Sequence, residues 1–111
     1  MAAEPSLALL EVRAHLDLPF ELLPDDYVYL AIELGELEVT DMALPKDPRD
    51  CRRLGDEWLA ARTTPLLRVP SVIVPMARNI LLNPRHPDAV LVDVSATYPC
   101  DFDQRLWSLG R

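Results

Sequence analysis

An α+β domain, a small mixed sheet with helices beside it, is the fold class this sequence predicts, and three observations carry it. Residues 6–16 repeat their apolar side chains at helical spacing, whereas residues 27–34 and 89–96 alternate them as strands do. Eleven prolines lie among and between such segments, which favours short strands and scattered helices over a long bundle or a regular parallel sheet. The 111 residues, 50% hydrophobic and 26% charged, suit one folded domain, 1–111, that buries roughly 65% of its extended-chain surface.

Each element has its own signal. In SLALLEVRAHL, Leu7, Leu10, Ala14 and Leu18 fall at i, i+3, i+7 and i+11, so the expected buried stripe runs through them. Pro5 and Ser6 mark the start of this helix and Pro19 its end. Glu11 and His15 sit four apart, on a stripe next to the buried one and within reach of each other. After PFELLPDD, the run YVYLAIEL places two Tyr on one face and Val28, Leu30 and Ile32 on the other, and Gly35 ends it. LEVTDM continues the sheet as a second short strand. ALPKDPRDCRR reads as a loop and a turn of helix, and GDEWLAAR, residues 55–62, as a short helix begun by Gly55 and Asp56.

LLRVPSVIVP, residues 66–75, is rich in β-formers but interrupted by Pro70, so it is expected to be two short strands or an edge strand bent there. In ARNILLNPRHPD, Pro84 and Pro87 fix a turn. AVLVDVSA, residues 89–96, returns to alternation at Val90, Val92 and Val94. DFDQRLW is amphipathic and is expected to pack Phe102, Leu106 and Trp107 back on the sheet.

The net charge of −7 repels phosphate backbones, so direct nucleic-acid binding is not expected, while a basic protein partner would be attracted. No stretch reaches the ~18 apolar residues of a membrane span, and the basic-then-apolar order of a signal peptide is missing. A cytoplasmic protein without membrane attachment is expected. Cys51 and Cys100 are too far apart in sequence for a CxxC pair and read as reduced thiols; no metal is expected. With glycine only at 35, 55 and 110, no GxGxxG, GxxxxGK or GxSxG can be written.

Four spots could carry chemistry. Glu11 lies between Leu10 and Val12, where a partly desolvated carboxylate needs a partner or a raised pKa, unless it is an ordinary boundary residue with a solvated tip. His15 is a general base or a hydrogen-bonded structural histidine; with Glu11 alone it supplies too few ligands for zinc. Ser71, a small hydroxyl in an apolar β-rich run, is either a site residue or a group that satisfies nearby backbone. Asn79, Asn83 and His86 surround the Pro-rigid turn and suit side-chain-to-backbone bonds that hold it.

The joined text adds a resemblance. EPSLALLEVRAHL, then GDEWLAARTTPLLRVPSVIVPMARNILLNPRHPDAV, then FDQRLW resembles, from Pro5 nearly to the C-terminus, the RES domain of bacterial toxin–antitoxin systems. The order of ALLE, GDEWL, VPSVIVP, N-x-LLNP-x-HP and FD-x-RLW carries it. The resemblance implies an ADP-ribosyltransferase-like fold that takes NAD⁺ as substrate and cleaves its nicotinamide–ribose bond. It implies a mono-ADP-ribosyltransferase acting on a cellular protein, or an NAD⁺ glycohydrolase or phosphorylase. It further implies neutralisation by a cognate Xre/ParS-like antitoxin covering the active site, with a homodimer and a higher toxin–antitoxin assembly expected. Of the Arg, Glu and Ser that name the family, Glu11 in ALLE matches the Glu and Ser71 in VPS matches the Ser.

Glu11 would then stabilise the oxocarbenium-like ribose, and Ser71 would position the ribose or orient Glu11. The family Arg has no counterpart, so the chain reads as short by about 40 residues of the usual domain length. Cationic contacts to the pyrophosphate would come from Arg13 or Arg68, and His15 and Asn79 complete the expected cofactor-binding set. The alternative is a catalytically inactive remnant that still binds the antitoxin and regulates the complex.

Overall fold

Pro70 ends a central strand and does not bend an edge strand. In the computed structural model, which describes residues 1–107, β3 (Leu66–Pro70) lies between β2 (Val39–Asp41) and β4 (Arg78–Leu82). β3 runs parallel to β2 and antiparallel to β4, with Arg68 opposite both Asp41 and Ile80. The proline lies beyond the β2 pairing, which ends at Arg68, and toward β4 the next bond is given by the Ser71 amide to Ala77, so its missing N–H costs little. VIVP therefore belongs to the turn over 72–77, and the strand that follows is built from RNILL, a segment the alternation did not single out.

The edge of β4 is extended by the N-terminus. The Met1 amine donates to the Ile80 carbonyl at 2.8 Å, Ile80 N–H donates back to Met1 at 2.6 Å, and Ala3 N–H donates to Arg78 at 3.1 Å. A second, separate sheet pairs β1 (Val28–Glu33) antiparallel with β5 (Asp93–Pro99). Its register slips between Ala31 and Ile32, where Ser95 is the extra residue and its hydroxyl donates to the Ala31 carbonyl at 3.2 Å.

Two helices flank the sheets. α1 (Pro5–His15) starts at its proline as expected, but its inward stripe differs from the expected one. Leu7 is buried while Leu10, Ala14 and Leu18 face water, and Glu11, one turn after Leu7, shares the inward face. α2 (Asp50–Ala61) is one helix through Gly55, not a short helix begun there. Its start is set at Asp47-Pro48, where the Asp47 carboxylate accepts the Arg49 amide at 3.0 Å and its carbonyl accepts Asp50 N–H at 3.0 Å. This turn fixes the chain entering the helix, and a single interior glycine costs it only about 1 kcal/mol.

The core is built around β3 and the two helices, on both faces of the three-stranded sheet: Leu66, Leu67, Trp58 and Leu7 are buried, with Asn83 wholly so. Trp58 Nε1 donates to Thr64 Oγ1 at 3.0 Å, and Asn83 Nδ2 donates to the Leu59 carbonyl at 3.1 Å. That bond serves a carbonyl in the last turn of α2, where helical partners run out. Asn83 Oδ1 accepts the Arg85 amide at 3.1 Å and His86 Nδ1 accepts the Asp88 amide at 3.0 Å, so both hold the Pro84–Pro87 turn as expected.

Residues 87–91 are a 3₁₀ turn capped by His86 rather than the opening of a strand; β5 starts only at Asp93. In the tail, Phe102 packs edge-on to Tyr27 at 5.1 Å and Trp107 at 5.2 Å. Cys51 and Cys100 are free thiols, and no described helix is long and apolar enough to cross a membrane. Residues 108–111 of the expected domain lie outside the described residues.

Candidate functional site

Glu11, Ser71 and Asn79 come from three elements and meet at one carboxylate oxygen. The Ser71 hydroxyl donates to Glu11 Oε1 at 2.7 Å and the Asn79 side-chain amide donates to the same oxygen at 3.0 Å. They are separated by 60 and 68 residues in sequence, so this meeting depends on the whole three-stranded sheet. Ser71 follows directly on β3 and Asn79 lies opposite Val69 on β4, so strand pairing sets their spacing while α1 delivers Glu11 from its inward face.

Ser71 is buried and its hydroxyl is fully engaged. Besides donating to Glu11, it accepts the amides of Ile73 and Val74, each at 3.1 Å, and its own amide donates to Ala77 at 3.0 Å. A hydroxyl whose proton faces a carboxylate and whose lone pairs face two amides is a holder of geometry rather than a nucleophile. The loop it anchors turns Val72 and Met76 outward, each 89% exposed.

The two donors decide the charge of Glu11. The Ser71 hydroxyl, and next the Asn79 amide, hold its carboxyl below the usual glutamate range; burial pushes the other way but is outweighed, and His15 adds a further lowering. Of the two sequence-level expectations for this carboxylate, a partner or a raised pKa, the partner is what the fold supplies. His15 Nε2 lies 3.7 Å from the second oxygen, Oε2, and its ring is largely in water. The result is an anion fixed at one oxygen and open at the other, beside an exposed imidazole.

The two expected arginines lie elsewhere. Arg13 donates from Nε to the Leu106 carbonyl at 2.9 Å and its guanidinium stacks 5.0 Å from the Trp107 ring centre, so it pins the tail to α1. Arg68 donates to Asp41 at 2.9 Å across the β2–β3 pair, and strand alternation turns it away from Val69 and Asn79. Asn79, named both with the turn residues Asn83 and His86 and in the cofactor-binding set that the resemblance implies, lies inside β4 and bonds Glu11 rather than the turn.

The sequence model of the RES domain family matches residues 1–103. The chain is 39% identical over 95 residues to "Toxin Res" of Pseudomonas putida strain KT2440, covering 79% of this chain and 65% of the relative. It is 39% identical over 99 residues to "Prs ADP-ribosylating toxin" of Sphingobium sp. strain YBL2, covering 79% of this chain and 61% of the relative. With "Toxin Res" of Yersinia enterocolitica it shares 32% identity over 100 residues, 78% of this chain and 61% of the relative. The match thus spans 61% to 65% of the length of these curated relatives.

Proposed function

The chain belongs to the RES domain family, and from that premise we propose that it is a toxin that consumes NAD⁺, with Glu11 as the catalytic residue. The observation that supports this reading is the anionic carboxylate fixed through Oε1 by Ser71 and Asn79. When the bond between ribose C1′ and the nicotinamide nitrogen breaks, its electron pair leaves with nicotinamide and positive charge grows on the ribose. A carboxylate already ionised and immobilised stabilises that charge without rearranging. An acceptor then adds at C1′ and loses its proton: a protein side chain gives mono-ADP-ribosylation, water or phosphate gives glycohydrolysis or phosphorolysis. The relative named as an ADP-ribosylating toxin favours transfer to a protein.

In this reading Ser71 and Asn79 are positioning residues, and His15 is the nearest cation-forming group to a bound ribose diphosphate. A cognate Xre/ParS-like antitoxin would keep the toxin silent by covering this face, and the exposed Val72 and Met76 beside Ser71 offer it an apolar foothold.

Incubation of the antitoxin-free chain with NAD⁺ tests the proposal. Nicotinamide release, with or without a labelled acceptor, is expected, and Glu11→Gln lowers its rate by about 10²–10³-fold while the fold is retained. Absence of both release and label overturns the enzyme reading. One observation favours a second reading, a non-catalytic member that binds the antitoxin: Arg13 and Arg68 are both committed to other partners. A chain that binds the antitoxin yet releases no nicotinamide identifies that case.

A further inference from the structure

The half of α1 that carries Glu11 has little core beneath it. Leu7 is the buried side chain of the helix, and from Ala8 to His15 every residue is half-buried or exposed. Apolar packing therefore fixes the start of α1 and leaves its later turns to be held by polar side chains. Glu11 supplies one such hold, through Ser71 and Asn79. Arg13 supplies another. Its Nε donates to the Leu106 carbonyl at 2.9 Å, 93 residues away in sequence, and its guanidinium lies 5.0 Å from the centre of the Trp107 ring.

Residues two apart on a helix point about 200° away from each other, so Glu11 and Arg13 leave α1 on opposite sides. One reaches the three-stranded sheet and the other reaches the tail. The tail is itself fastened: Phe102 lies edge-on to Tyr27 at 5.1 Å and to Trp107 at 5.2 Å, Phe20 lies 6.3 Å from Trp107, and the Cys100 amide donates to the Tyr27 carbonyl at 3.1 Å. The Asp103 carboxylate caps the 3₁₀ turn Gln104–Leu106 by accepting the Arg105 amide at 2.9 Å. Trp107 Nε1 is buried with no acceptor among the described residues. The indole is thus kept in place by its aromatic neighbours and by Arg13, not by a hydrogen bond of its own.

From this arrangement we infer that Arg13 and Trp107 form a clamp that positions Glu11: gripping α1 on the side away from Ser71, they stop the helix from rolling about its axis and keep the carboxylate seated on Ser71 and Asn79. A roll of about 20° shifts a group about 5–6 Å from the axis by about 2 Å, enough to break the 2.7 Å bond from Ser71. Arg13 acts through the helix and not through its charge, since the groups that set the proton affinity of Glu11 are Ser71, Asn79 and His15. A planar guanidinium, able to bond through Nε while its face lies on an indole, suits the two contacts as a lysine ammonium does not. In its kinetic consequence the inference rests on Glu11 being the catalytic carboxylate; the clamp itself does not depend on that reading.

Two variants open the clamp without changing the net charge: Trp107→Ala removes the ring, and Arg13→Lys loses the planar fork. In each, kcat for nicotinamide release should fall about tenfold, a fraction of the ~10²-fold that a 1 Å misplacement can cost, with KM for NAD⁺ within about twofold of the parent. Trp107→Phe still offers a ring face and should recover most of the loss. The double variant should fall no further than either single one, because the two residues act as a unit. NMR titration of the Glu11 side-chain carboxyl carbon in the same proteins reads its seat directly. That carboxyl should titrate higher in Trp107→Ala and Arg13→Lys than in the parent, and as in the parent in Trp107→Phe. If Trp107→Ala does not fold, Arg13→Lys decides alone. A Glu11 titration unmoved in both variants, or kcat unmoved in both, overturns the clamp. A rise in KM with kcat retained also overturns it, because Arg13 then binds substrate. A parent that releases no nicotinamide sinks the reaction proposed above and leaves the titration to decide the clamp.

Discussion

The two sheets use similar amounts of chain for opposite purposes. In the β2–β3–β4 half, Leu66 and Leu67 are buried on the two faces of β3, Asn83 is sealed in with every side-chain polar atom partnered, and Arg68 meets Asp41. In the β1–β5 half, Val28, Leu30, Val94 and Tyr98 are exposed, and the strands themselves carry Glu33 and Asp93 but no Lys or Arg. The first half holds itself together; the second offers apolar groups and backbone it cannot satisfy alone. Glu11 is delivered onto the first half, so the candidate site rests on the better-packed part of the molecule.

Native-state hydrogen exchange is the widest test of that contrast. Amides of β3 and β4 should exchange only on global opening, and those on the free edge of β1 at least ~100-fold faster, as expected for local fraying. Equal protection in both sheets would erase the distinction. Next in size is Asn83→Ala, which strands the Leu59 carbonyl and the Arg85 amide inside the packed half. Thermal denaturation should show a loss of about 2–3 kcal/mol, against less than about 0.5 kcal/mol for Thr97→Ala on exposed β5.

Acid titration sharpens the role of the site within the packed half. Because Ser71 and Asn79 lower the folded-state pKa of Glu11, its contribution to stability is complete above the ordinary glutamate range and is lost as pH falls through the folded value. Ser71→Ala removes the largest of these effects, so the stability difference between it and the parent should be greater at neutral pH than in acid. The acid limb of nicotinamide release should move upward in the same variant; a purely structural serine would leave that limb in place. Gly55→Ala should give a small gain. Nothing lies within 4 Å of the added methyl, so α2 should gain about 0.5–1 kcal/mol, read as a rise of a few degrees in melting temperature.

Local signals were legible where one residue type decides the outcome. Pro5 starts α1, Gly35 ends the first strand with a φ of 58°, and the Pro84–Pro87 turn is held by the expected Asn83 and His86. Glu11 and Ser71 were legible because the family motifs mark them. What periodicity misjudged was which side faces inward: Leu10, Ala14 and Leu18 give the stronger apolar pattern, yet tertiary packing turns the Leu7–Glu11 stripe in, since only there do Ser71 and Asn79 satisfy a carboxylate. The same local view hid β4, where Asn79 broke the apolar run, and placed the start of α2 at Gly55 because the turn held by Asp47 lies across a proline. Arg13 and Arg68 were unreadable for a simpler reason: their partners, Trp107 and Asp41, are distant in sequence.

Ser71 makes the exposed 72–77 loop an input to the acidity of Glu11. The amides of Ile73 and Val74 polarise its hydroxyl and so strengthen the bond it gives to the carboxylate. A molecule that grips Val72 and Met76 and draws the loop away removes those amides, and Glu11 becomes a weaker acid without being touched. Loop position is thereby translated into proton affinity at Glu11.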